Sequence, residues 1–288
     1  MCNFRKCICV AKNNLCRTLF QGRFYFALFV NLILMKQLTD TINKFSEAVD
    51  IKVCPWIFPF LMQENYIQFL FLAGAVLLFC DAPFIDEGSS YELIRAGKLN
   101  WIIGKIIYMF GLAVVYTGGV VGITILLLVP NISFQNSWGK VLGTLAQTDA
   151  AAVFGNTYIE LDYNIMLKYQ PVTAMLLSFV LAVFVCFIVG LCVLTINLYF
   201  KKIPGAIGGM TIALMSYFQK NFSNLYVMSY ASPTSWLDIG WWSNKASLSY
   251  PSVSYMITFL GISITIFCAL SIITFNNSDD ALKKKGDL

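Results

Sequence analysis

The chain has 288 residues, 58% of them hydrophobic, 15% aromatic and only 12% charged, with a formal net charge of +5. A soluble domain carries about 25% charged residues, so a soluble fold of this length would lack the polar surface to cover itself. The same figures exclude a disordered chain and a nucleic-acid-binding domain, and they leave a polytopic, all-α membrane protein.

Residues 3–20 read as an amphipathic helix. Phe4, Ile8, Ala11, Leu15 and Leu19 recur at helical spacing, while Arg5, Lys6, Lys12, Asn13 and Arg17 take the other positions. A basic helix just before a span is expected on the inner membrane surface, either as a topology anchor or as an element of transmission. Only Cys7 to Ala11 separates the first basic pair from Lys12, too short for the apolar core of a signal peptide, so no cleavable signal is expected.

Crossing a hydrocarbon core of ~30 Å takes about 20 apolar residues. Six stretches qualify: 24–42, 66–83, 101–129, 172–199, 203–219 and 252–275. The first is the weakest, because Lys36 and Asp40 interrupt it; four apart, they can pair on one helix face. Its alternative is an interfacial helix that never crosses. With six spans and the N-terminus inside, 13 Lys and Arg fall on the inner side and 7 on the outer. That bias fits the positive-inside rule, with both termini in the cytoplasm.

The loop after the second span reads DAPFIDEGSSYELIRAGKLN. Pro83 ends or kinks the span. Ser89 and Glu92 have capping-box spacing, and Gly97 stands where a residue just past a helix end would sit. A short cytoplasmic helix over about 89–97 is predicted, presenting Tyr91, Leu93, Ile94 and Arg95. Such a helix suits docking on a partner; the alternative is an ordinary loop.

On the outer side, 43–65 carries CPWIFPFLM and reads as an interfacial loop. Residues 130–171 are too long for a tight turn and too short for a domain, so a partly helical cap is predicted. Residues 221–251 contain Trp236, Trp241, Trp242, Pro233 and Pro251. They read as a re-entrant segment or as a loop on the membrane surface. Gly118 with Gly122, and Gly205 with Gly209, form GxxxG pairs expected to pack helices within the chain.

Chemistry is sparse. There is no His, which removes the commonest metal ligand and acid/base group. Of nine Cys, only Cys54 falls on the outer side, where it has no obvious disulfide partner, and Cys7-x-Cys9 alone does not make a metal site, so none is assigned. Asp81, Asp86, Glu87 and Glu92 beside Arg95 and Lys98 read as a solvated ion-pair network. Lys105, four residues into its span, is expected to snorkel. The third to sixth spans are otherwise nearly bare of charge, against an ion-coupled carrier. There is no GxxxxGK[ST] phosphate loop for ATP.

Six spans, an N-terminal amphipathic helix, a charged inner helix and a Trp- and Pro-containing segment before the last span resemble the permease subunit of type-2 ABC exporters. The resemblance is most specific over 81–106, ending in Gly104-Lys105 at the start of the third span. The outer connection 130–171 is longer than in many members. The resemblance implies a transport subunit, not an enzyme, in a bacterial cell membrane. It implies a coupling helix whose Asp86, Glu87, Tyr91, Glu92, Leu93, Ile94, Arg95 and Lys98 dock a separate ATPase subunit, with the N-terminal helix as a second contact. ATP and Mg then belong to that partner and no cofactor to this chain. A second permease, identical or related, completes the pathway. An apolar, aromatic lining favours an amphipathic or hydrophobic substrate: a peptide, lipid or drug. The alternatives are an ATP-independent carrier or channel, and a membrane enzyme or assembly factor using outer carboxylates such as Glu160 or Asp162.

Overall fold

A computed structural model describes residues 3–85, 89–148, 150–154, 161–200, 202–221, 226–243 and 251–286. Among these the chain is all-helical. In order come α1 (Phe4–Leu19), α2 (Gly22–Val49), α3 (Phe58–Leu61), α4 (Asn65–Phe79), α5 (Ser89–Ala96) and α6 (Lys98–Leu127). Then follow α7 (Gly139–Gln147), α8 (Ala150–Phe154), α9 (Tyr163–Lys168), α10 (Pro171–Phe200), α11 (Lys202–Asn221), α12 (Tyr226–Ala231), α13 (Gly240–Ser243) and α14 (Val253–Gly286).

Among the described residues, three helices are long and apolar enough to cross a membrane: α6, α10 and residues Val253–Asn277 of α14. Helices α1 and α2, bent by 62° at their junction, make a fourth if they count as one span. Helix α4 is apolar but only 15 residues long, about 22 Å. Several apolar helices make the chain compatible with membrane embedding. Helix α10 is the centre of the bundle, packed on by α4, α6, α11 and α14, with 78% of its most apolar stretch buried. Helix α14 is peripheral, with 17% buried.

Helix α2 differs from expectation. It runs through Lys36 and Asp40 to Val49, so residues 43–49 are helix rather than outer loop. The reason is periodicity: Met35, Leu38, Thr39, Ile42, Phe45 and Ser46 keep one buried face while Lys36, Lys44 and Glu47 stay exposed. Among the described residues no ion pair joins Lys36 to Asp40. Asp50, in the left-handed region at φ 53°, stops the helix. Midway along the bundle, Asn31 of α2 donates to the Tyr116 hydroxyl of α6 at 2.9 Å, and that hydroxyl donates to the Phe71 carbonyl of α4 at 2.8 Å.

The two GxxxG pairs have different fates. A Cβ on Gly205 would fall 2.7 Å from the Val193 carbonyl, and one on Gly209 would fall 2.7 Å from the Val193 side chain, so this face of α11 lies against α10. Gly118 and Gly122 have no atom within 4 Å of an added Cβ, so packing within the chain does not use them. They sit on the half-exposed face of α6 instead.

At the end away from α5, the loops converge. The Val53 amide donates to the Asn131 carbonyl and the Ser133 amide to the Val53 carbonyl, both at 2.8 Å. The indole N–H of Trp138 donates to the Tyr169 carbonyl, and Lys168 to the Trp242 carbonyl. Trp236 and Trp242 are buried, and their N–H groups reach the Ser229 and Trp236 carbonyls at 3.0 Å. So the part of 221–251 that is described is folded into the cap; its residues 222–225 and 244–250, like Glu160, lie outside the described residues.

Cys54 is buried in this cap as a free thiol. Burial pushes its pKa up to about 11, so the thiol stays protonated at any pH well below that. At pH 8, Cys54 is therefore expected to alkylate roughly two orders of magnitude more slowly than an ordinary exposed thiol, because only the thiolate reacts. Peptide mapping after limited maleimide labelling checks this; Cys9 and Cys16, both exposed, serve as fast references.

Candidate functional site

The densest polar architecture lies at the α5 end, where α1, α5, the start of α6 and the turn after α4 meet. Helix α1 does not lie apart from the bundle. It runs alongside α6 in the same direction: Asn3 meets Asn100, Cys7 and Val10 meet Gly104, and Leu15 approaches Gly111. Its buried side is Cys7, Val10, Ala11, Asn14 and Thr18. The apolar stripe that marks the helix in sequence is only partly used, since Phe4 is 69% exposed and Ile8 45%. The physical reason is twofold. Gly104 has no side chain to hold α1 away, and Asn14 and Thr18 find partners on α6.

Those partners include Lys105, which corrects the snorkelling expectation. Its side chain is fully buried. The ammonium donates to Asn14 Oδ1 at 2.6 Å and to the Phe84 carbonyl at 3.1 Å. It also stands 5.0 Å from the centre of the Trp101 ring and 5.9 Å from that of Phe84. The Pro83 turn brings the Phe84 carbonyl to the ammonium, and α1 roofs the site. The Asn14 amide nitrogen donates to the Val10 carbonyl at 2.7 Å and to Glu92 Oε2 of α5 at 3.4 Å. One amide therefore bridges the Glu92 carboxylate and the buried Lys105 ammonium. A turn further on, Thr18 Oγ1 and the Tyr108 hydroxyl share a hydrogen bond of 2.5 Å.

The turn after α4 is held from three helices. Arg23 of α2 pairs with Asp81, and that carboxylate raises the Arg23 pKa. Asn197 of α10 donates to the Cys80 and Ala82 carbonyls at 3.0 and 2.8 Å, and its oxygen accepts from the Gly205 amide of α11. Lys105 of α6 takes the Phe84 carbonyl. A displacement of this turn is thus felt by α2, α6, α10 and α11 together.

Helix α5 stands on this base. Gly97, at φ 82°, lets the chain reverse between α5 and α6, and its amide closes the last turn on the Leu93 carbonyl at 2.9 Å. Leu93 and Ala96 pack toward Val10, Trp101 and Ile102. Trp101 in turn stacks on Phe275 of α14 at 5.1 Å. Of the expected docking residues, Tyr91 and Ile94 project outward at 78% and 82% exposure. Arg95 and Lys98 are exposed, while Glu92 and Leu93 are half-buried because they face α1 and the base. Asp86 and Glu87 lie outside the described residues.

A groove of about 600 Å³ runs between α1 and α5, lined by Arg5, Lys6, Tyr91, Glu92 and Arg95 among others. Cys7 and Cys9 do not converge: Cys7 is buried against α6 and Cys9 is exposed. Among the described residues no three His, Cys, Asp or Glu side chains gather to hold a metal. Asn14, Thr18, Asn100 and Asn197 are the functional candidates that sequence reading missed. Their signal was present: Asn14 and Thr18 lie at i+7 and i+11 from Cys7, so they share its helix face. No family model, curated protein or solved structure matches the chain.

Proposed function

We propose that the chain is the membrane-spanning permease subunit of an ATP-driven exporter resembling the type-2 ABC kind. In this reading it crosses the cell membrane six times, with both termini and α5 in the cytoplasm, and α4 and α11 complete the set of crossings. Helix α5 is the coupling helix, and a separate ATPase subunit carrying ATP and Mg docks on it and on α1. A second permease subunit completes the pathway for an amphipathic or hydrophobic substrate.

The observation that carries this reading is the construction of α5. Its outer side chains, Tyr91 and Ile94, are free to meet a partner, while its inner side is wired through Glu92, Asn14 and Lys105 to the long helices. A push on α5 is transmitted through the part-buried Glu92–Asn14 contact at 3.4 Å and then through the buried Asn14–Lys105 hydrogen bond at 2.6 Å, rather than through a flexible loop. The central helix α10 carries no charged side chain, which supports a partner rather than an ion pathway along α10 as the source of energy.

The test is substrate-stimulated ATP hydrolysis by the purified assembly in liposomes. Reversing Glu92 and Arg95 together (E92R/R95E) is expected to abolish stimulation while leaving the chain folded. Full transport by vesicles containing this chain and no ATPase contradicts the reading.

A further inference from the structure

Resting on that reading, we infer that the α1–α5 groove receives an acidic peptide segment of the cytoplasmic partner. The groove holds three cations, Arg5, Lys6 and Arg95. Its one carboxylate among the described residues, Glu92, accepts from the Asn14 amide at 3.4 Å. Among the described residues no carboxylate comes within ion-pair distance of Arg5 or Arg95. Lys6 spends one of its three donors on the Arg95 carbonyl at 3.2 Å, which fixes the two sides of the groove to each other and leaves donors for a ligand. Tyr91, 78% exposed, flanks the opening. A groove with unmatched positive charge and a preformed spacing selects carboxylates, and it does so at little ordering cost.

The helical wheel of α1 separates an acidic peptide from a lipid headgroup as the occupant. At 100° per residue, Arg5, Lys6, Cys9 and Asn13 face the groove, whereas the exposed Phe4 and Ile8 lie on the other flank, and Cys7, Val10 and Asn14 lie against α6. The apolar flank is the one that suits lipid. The groove thus lies on a different flank of α1 from the one that suits lipid, which favours a soluble partner as its occupant.

The experiment uses the full chain in nanodiscs of phosphatidylcholine and a fluorescent decaglutamate peptide as probe, read by anisotropy at low and at moderate salt. The wild type is expected to bind, with affinity falling as salt rises. R5E/R95E is expected to weaken binding by at least about tenfold, the weight of one charge-assisted contact. K12E, which alters an exposed α1 cation outside the groove, is expected to change it by less than about twofold, as for a screened surface charge. Equal loss in K12E and R5E/R95E, or no binding by the wild type, overturns the inference. So does displacement of the peptide, in phosphatidylcholine nanodiscs, by soluble glycerol phosphate at concentrations at which equal chloride has no effect, which would assign the groove to a phosphate headgroup. An ATPase that co-purifies with a chain that ignores the peptide would sink this inference and leave the proposed function standing.

Discussion

Replacing Lys105 by Met is expected to destabilise the protein more than any other single charge removal. The change leaves Asn14 Oδ1 and the Phe84 carbonyl without this donor in a buried site. Each orphaned buried acceptor costs about 1–3 kcal/mol. The reverse change, Asn14→Leu, takes an acceptor from a buried ammonium, and a hydrogen bond to a charged group is worth about 1.5–3 kcal/mol. The double variant K105M/N14L is expected to lose less than the two singles combined, because the unmatched groups disappear together. Thermal unfolding in detergent, followed for all four proteins, measures the coupling. A K105M protein that melts with the wild type would show that the buried ammonium holds nothing.

The second large effect is expected at Gly104. A Cβ there would lie 2.8 Å from Val10 Cβ and 2.9 Å from the Cys7 carbonyl. One of those atoms is backbone, so no change of rotamer relieves the clash, and Gly104→Val must lever α1 away from α6. Overpacking of this kind costs about 1–3 kcal/mol. The sharper consequence is local: residues 3–20 are expected to lose hydrogen-exchange protection, and the Asn14–Lys105 contact is expected to break. Gly118→Val, on the same helix but with no atom within 4 Å, is the control and is expected to leave exchange unchanged. Equal protection of α1 in both variants would contradict the close approach at Gly104.

The sequence carried some of this architecture and not the rest, for identifiable reasons. Helical class was legible because long apolar stretches with few charges leave no other way to satisfy backbone groups in lipid. The end of α5 was legible in Gly97, since a left-handed backbone position reads directly from residue type. The seating of α1 was not. Its buried face includes Asn14 and Thr18, and two of its apolar residues, Phe4 and Ile8, face outward, so amphipathicity pointed to a flank rather than to the docking side. Lys105 was misread for a related reason. Its position near a helix start permits snorkelling, and only the tertiary fold reveals that α1 and the turn at Phe84 close over it. The length of α2 was hidden by Lys36 and Asp40, which interrupt the apolar run without interrupting the buried face. In each case a local rule gave way to a contact with a distant segment.

In the proposed function, a cytoplasmic, energy-supplying subunit engages the exposed face of α5. The most direct measurement places a photo-crosslinking amino acid at Ile94, and separately at Leu126 near the far end of α6, both strongly exposed in the isolated chain. After irradiation of intact cells, position 94 is expected to capture a chain bearing a GxxxxGK[ST] phosphate loop, and position 126 is expected not to. Capture of that chain at 126 but not at 94, or no capture at 94 in cells that carry out transport, contradicts the account.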